Sequence, residues 1–131
     1  TPYLLDGIIY GVDVDRSALM AVEMESGKRL WESRAPCLSK EIAARSRVPR
    51  YGTAFLVYHP GNKQFWILGE MGDLIVAELS PQGYREVSRA RVLKPTNTSG
   101  SRKVLWSHPA FAMRSVFLRN DKELIRIDLA E

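Results

Sequence analysis

The chain has 131 residues, 45% of them hydrophobic, with one cysteine and a formal net charge of +4. That length fits one domain able to bury a core without metal or disulfide staples, and a lone cysteine excludes a disulfide framework or a cysteine-rich zinc site. No apolar run approaches the ~18 residues of a membrane-spanning helix. The opening "TPYLLDGIIYG" lacks the basic head and cleavage pattern of a signal peptide and reads as mid-domain sequence, with Thr1 expected to be a boundary rather than a native start.

Taken in chain order, the apolar residues alternate rather than recur at helical spacing. "GIIYGVDVD" (7–15), "ALMAVEMESG" (18–27), "GTAFLVYHPG" (52–61), "QFWILGEMG" (64–72) and "DLIVAELSPQG" (73–83) are short runs rich in β-branched and aromatic residues, each closed by Gly, Pro, Asp or Asn. Only "SKEIAARSR" (39–47) suits a turn or two of helix, with Ser39 as its cap. The pattern predicts an all-β chain.

An internal repeat organises these runs. "GIIYGVDVDRSALMAVEMESGKRLWE", "KQFWILGEMGDLIVAELSPQGYREVS" and "RSVFLRNDKELIRIDLAE" each hold an apolar strand, a short polar turn, and a leucine (Leu19, Leu74, Leu124) opening a second strand. The period is roughly fifty residues. In the first two copies Gly27 or Gly83 leads into a further strand, and "PYLL", "TAFLVYH" and "PAFA" precede the three copies. The unit is a four-stranded antiparallel meander, the blade of a β-propeller. Blades are expected at about 1–32, 53–93 and 106–131, the last lacking its outer strand. About three blades do not close a ring of ~4 to 8, so the chain is expected to be the C-terminal part of a longer protein, or to pair with a second copy.

"DGIIYGVDVDRSALMAVEMESGKRLWE" resembles the PQQ-like, quinoprotein-type propeller repeat: aspartate-glycine, an apolar strand, a turn, then leucine, alanine, an acidic residue, serine-glycine and tryptophan. The stretch "YGTAFLV…GDLIVAELSPQGY…VLKPTN…WSHPAFA…RNDKEL" is similar to the C-terminal part of bacterial propellers of this family. The resemblance implies a periplasmic or secreted bacterial protein. The same repeat occurs in dehydrogenases and in assembly scaffolds.

In an up-and-down blade both long loops lie on one face. Residues 33–52 carry Arg34, Lys40, Arg45, Arg47 and Arg50 against Glu41, and residues 94–109 carry Lys94, Arg102 and Lys103 against no acid. Eight cations against one acid give these loops +7, while 11 cations against 14 acids leave the rest at −3. Focused charge on loops suits an anionic partner: an acidic protein, a sulfated or uronic sugar, or, least favoured, a nucleic acid backbone. The opposing reading is that these arginines only keep the loops solvated. Arg50, Tyr51, Trp106, His108 and Thr1 are expected to converge at the mouth of the channel, where aromatics and an imidazole suit a small ligand. The opposing reading makes "WSHP" a packed turn. The candidate binding residues are therefore Arg45, Arg47, Arg50, Tyr51, Arg102, Lys103, Trp106 and His108.

Other motifs carry less. "DVDRS" opens with the spacing of a calcium loop, but Ala18 stands where glycine is needed and Met24 where the closing Glu belongs. Asn97 heads an "NTS" sequon. Cys37, beside Pro36 in a loop, reads as an exposed thiol with nothing near it in sequence to make it a nucleophile. His59 and His108 are too few for a dedicated metal site, and Ser107 next to His108 is no triad. Two functional classes stay open. One is a non-catalytic propeller segment that binds a protein or anionic polymer. The other is part of a PQQ-dependent alcohol or sugar dehydrogenase, a family marked by a vicinal cysteine pair, a tryptophan on the quinone and a carboxylate-held calcium. With one cysteine and no matching acidic cluster the chain departs from that pattern, so no cofactor, metal or catalytic residue is expected.

Overall fold

The structure is a computed structural model that describes residues 2–39, 42 and 50–129. As the alternation predicts, it is all-β, built of several antiparallel sheets, none of them closed. The first sheet takes β1 (Tyr3–Leu5), β2 (Ile8–Asp13), β3 (Ala18–Glu23) and β4 (Arg29–Ser33) in sequence order. The second takes β5 (Ala54–His59), β6 (Gln64–Gly69), β7 (Asp73–Ser80) and β8 (Gly83–Arg91), again in order. A small hairpin, β9 (Asn97–Ser99) with β10 (Arg102–Val104), precedes a three-stranded sheet of β11 (Ala110–Ala112), β12 (Ser115–Arg119) and β13 (Leu124–Asp128).

Local chemistry sets the turns. Leu5 pairs with Ile8, so Asp6 and Gly7 alone form the β1–β2 turn, both at positive φ (49° and 78°). Asp-Gly is favoured there because two left-handed residues give the turn a twist that matches the strands it joins. Met113 and Arg114 form the β11–β12 turn the same way, with φ 49° and 53°. The hairpin at 97–104 falls where a long loop was expected; its polar sequence "NTSGSRKV" hides strand pairing that Gly100, at φ 60°, makes geometrically easy. Of the helix expected over 39–47 only Ser39 and Ile42 are among the described residues, and there the Ile42 N–H donates to Ser39 Oγ at 3.3 Å.

The second sheet lies between the other two and is apolar on both faces. Phe65, Ile67, Ile75 and Ala77 point into a core shared with Ile8, Tyr10, Leu19 and Ala21 of the first sheet. Leu68 and Leu74, with Trp66 beside them, point the other way into a core shared with Leu93, Leu105, Val116 and Leu118. Strands buried on both faces read as near-continuous apolar runs, which explains "FWILG" and "LIVAEL". Phe65 has no exposed surface and meets Tyr3, Tyr10 and Tyr58 at ring separations of 4.9–5.5 Å, so truncating it to alanine costs about 3–5 kcal/mol. The Trp31 Nε1–H donates to the Ser80 carbonyl at 2.7 Å, binding β4 to the far end of β7. Asp73 is buried at the start of β7 and accepts from both Arg89 and Arg91 on β8, while Arg89 also donates to the Ala35 carbonyl at 2.7 Å.

Candidate loop-face site

The residues that build the site belong to two turns, β2–β3 and β6–β7, to the segment 50–53 that enters β5, and to residues 102–106. The β2–β3 turn docks residues 50–52: Arg50 Nη2 donates to the two Asp15 carboxylate oxygens at 2.5 and 2.6 Å, and the Gly52 N–H donates to Ser17 Oγ at 2.7 Å. Ser17 is fully buried, and a Cβ on Gly52 would lie 2.9 Å from it, so only glycine allows this approach. The "DVDRS" stretch thus serves as a cradle for the segment entering β5.

The β6–β7 turn, "GEMGD", supplies the centre. Glu70 is 1% exposed, and its carboxylate collects three donors: the Thr53 N–H at 3.2 Å, the Trp106 Nε1–H at 3.3 Å and the Arg102 guanidinium. Its backbone joins the same elements, donating to the Thr53 carbonyl at 3.1 Å and accepting from the Leu105 N–H at 2.9 Å. Arg102 also donates to the Tyr51 carbonyl at 2.8 Å. One buried acid therefore clamps the start of β5 to the segment 102–106. Burial pushes the Glu70 carboxyl above the ordinary carboxylate range, opposed by Trp106, Arg102 and Thr53.

Around this clamp the structure brings together Arg50, Tyr51, Arg102 and Trp106, with Lys103 exposed on β10 beside them in sequence. Tyr51 and Trp106 are each 54% exposed and flank a concavity of about 310 Å³ floored by Val14, Thr53 and Phe55. The Arg50 guanidinium sits 5.3 Å from the centre of the Tyr51 ring. His108 does not reach this concavity; its ring packs 4.4 Å from Phe55. Arg45, Arg47 and Thr1 lie outside the described residues.

Two features differ from the sequence reading. Arg50 and Arg102 are already matched by Asp15 and Glu70, whereas Arg34, Lys94 and Lys103 have no carboxylate partner among the described residues. Cys37 is not an exposed thiol but 1% exposed, folded beneath the β6–β7 turn, and burial together with the charge of Glu70 pushes it up to about 12. Among the described residues no three His, Cys, Asp or Glu side chains come together as a metal-ligand set, and no helix is long and apolar enough to cross a membrane. No protein-family model matches the chain, and no curated protein matches it.

Proposed function

We propose that the chain is part of a PQQ-like β-propeller that acts as a binding or assembly scaffold, engaging a protein or an anionic polymer through the face that carries residues 33–52 and 94–109. The observation that carries this reading is the Glu70 clamp. It spends its three donors on holding a shaped aromatic surface in place rather than presenting an acid or base to a substrate. The Arg102 guanidinium is likewise engaged, by Glu70 and the Tyr51 carbonyl. Sequential meanders stacked face to face, with leucines at the starts of β3, β7 and β13, support the propeller reading. Cations without a carboxylate partner, Arg34, Lys94 and Lys103, support an anionic contact.

The test is heparin binding across a salt series, on the 131-residue chain. Binding at low salt that weakens as salt rises, and that falls in a Lys94→Gln/Lys103→Gln variant, is the expected result. No binding at low salt removes the anionic-partner reading. Calorimetry with PQQ and calcium addresses the dehydrogenase alternative: saturable micromolar binding would move the assignment to that class.

A further inference from the structure

Tyr51 and Trp106 are two large aromatic side chains left more than half exposed on either side of one concavity. Neither is loose. The Trp106 side chain is fixed through its Nε1–H to Glu70; the backbone of Tyr51 is fixed through its carbonyl to Arg102, in the left-handed region at φ 71°, and its ring lies 5.3 Å from the Arg50 guanidinium. Because the polar edge of the indole is taken, what it offers to solvent is its face. A side chain held in place by a buried network loses little freedom when a ligand stacks on it. The floor residues Val14, Thr53 and Phe55 also line a second concavity of about 420 Å³ that continues past Gly11, Met20 and Val22, so the two form one apolar groove.

Charge selects among ligands for such a groove. Arg50 with Asp15 and Arg102 with Glu70 are neutral pairs, and Lys103, which has no carboxylate partner among the described residues, lines not this groove but an adjoining concavity with Leu38, Glu70, Met71 and Arg102. A nucleic acid brings a phosphate with every base and draws much of its affinity from neutralising them. A sugar chain with occasional carboxylate or sulfate groups asks for less. Its pyranose rings carry apolar C–H faces that sit against the electron-rich face of an aromatic ring. We propose that this groove binds a sparsely anionic polysaccharide, with sugar rings stacked on Tyr51 and Trp106 and the chain running on so that an acidic group meets Lys103 in the adjoining concavity. The proposal rests on the loop face being a binding face, and names the ligand that face takes.

The experiment uses acrylamide quenching of tryptophan fluorescence, since Trp106 is exposed while Trp31 and Trp66 are largely covered. Hyaluronate, which carries a carboxylate only on alternate sugars, heparin, neutral dextran and poly(dT) are titrated into the chain and its variants, each variant first checked by thermal melting. Hyaluronate should shield Trp106. Trp106→Ala and Tyr51→Asn should each weaken binding about tenfold, asparagine being chosen because it tolerates the left-handed backbone. Trp106→Phe, which keeps a stacking face but loses the bond to Glu70, should bind between the parent and Trp106→Ala. If heparin binds but Trp106 stays fully quenchable and the ring variants bind normally, the stacking proposal fails while the basic-face reading stands. Shielding by poly(dT) alone overturns it in favour of nucleic acid, and no binding by any polymer removes both readings.

Discussion

Replacing Glu70 by alanine tests the clamp directly. The Thr53 N–H would lose its carboxylate in a closed environment, at a cost of about 1–2 kcal/mol. Arg102, 23% exposed, and Trp106, half exposed, can regain water, so each adds about 0.5–1 kcal/mol. The buried negative charge is removed at the same time, which returns part of its desolvation cost. The net expected loss is about 2–3 kcal/mol, or a melting temperature lower by about 8–12 °C at ~4 °C per kcal/mol for a chain of this size. Thermal unfolding followed by circular dichroism measures it, and a drop below about 2 °C would refute the clamp. A Glu70→Gln variant adds the sign. Burial raises the folded-state value of this carboxyl, so the folded chain holds the proton more tightly than the unfolded chain. That stabilisation is complete below the ordinary carboxylate range, about 4.3, and is lost as pH rises through the raised folded value. Wild type should therefore gain on the glutamine variant toward acid pH and lose ground toward neutrality. The opposite slope would mean that Arg102 outweighs burial.

Two further outcomes follow from close packing elsewhere. Gly72 has φ +87°, and a Cβ there would lie 1.7 Å from the Leu93 carbonyl oxygen, so Gly72→Ala should cost more than about 3 kcal/mol in urea unfolding; a change under about 1 kcal/mol would show that residues 92–93 can move aside. Cys37 should resist a thiol reagent such as DTNB in the folded chain and react only as fast as the chain unfolds; labelling at the rate of a free thiol would show that the turn over it opens readily.

The strands were legible because their signals are local. Alternation over five to eight residues and an Asp6-Gly7 turn need no partner from elsewhere to be read. Glu70 was not legible for the converse reason. In "GEMGD" an acid between two glycines reads as a solvated turn, and the donors that give it meaning stand 17, 32 and 36 residues away. Arg50 and Asp15, 35 residues apart, were hidden in the same way, so counting charge along the loops overstated how many cations face solvent unmatched. Tyr51, Arg102 and Trp106 could be proposed from residue type, but the attachment of Arg102 and Trp106 to one carboxylate, and of Tyr51 to Arg102, could not. Cys37 was misread because a Pro-Cys loop looks exposed in sequence. The Pro36 carbonyl lies only 2.7 Å from where a Cβ on Gly69 would be, so the loop is pressed against the second sheet.

The two cores have no residue in common, and the second sheet belongs to both. Strand pairing within each sheet joins consecutive strands, so the first and third sheets couple chiefly through the middle one. Local opening of such a stack is therefore expected to begin in an outer sheet, within one overall unfolding transition. An outer sheet can open while the opposite core stays dry, whereas loosening Phe65, Ile67 or Leu68 weakens the second sheet's hold on a neighbour. The Glu70 clamp at the mouth of the stack then acts as a cross-brace. It fastens the start of β5 to the segment leading into β11, and so makes the opening of the third sheet depend on the turn that also carries Tyr51.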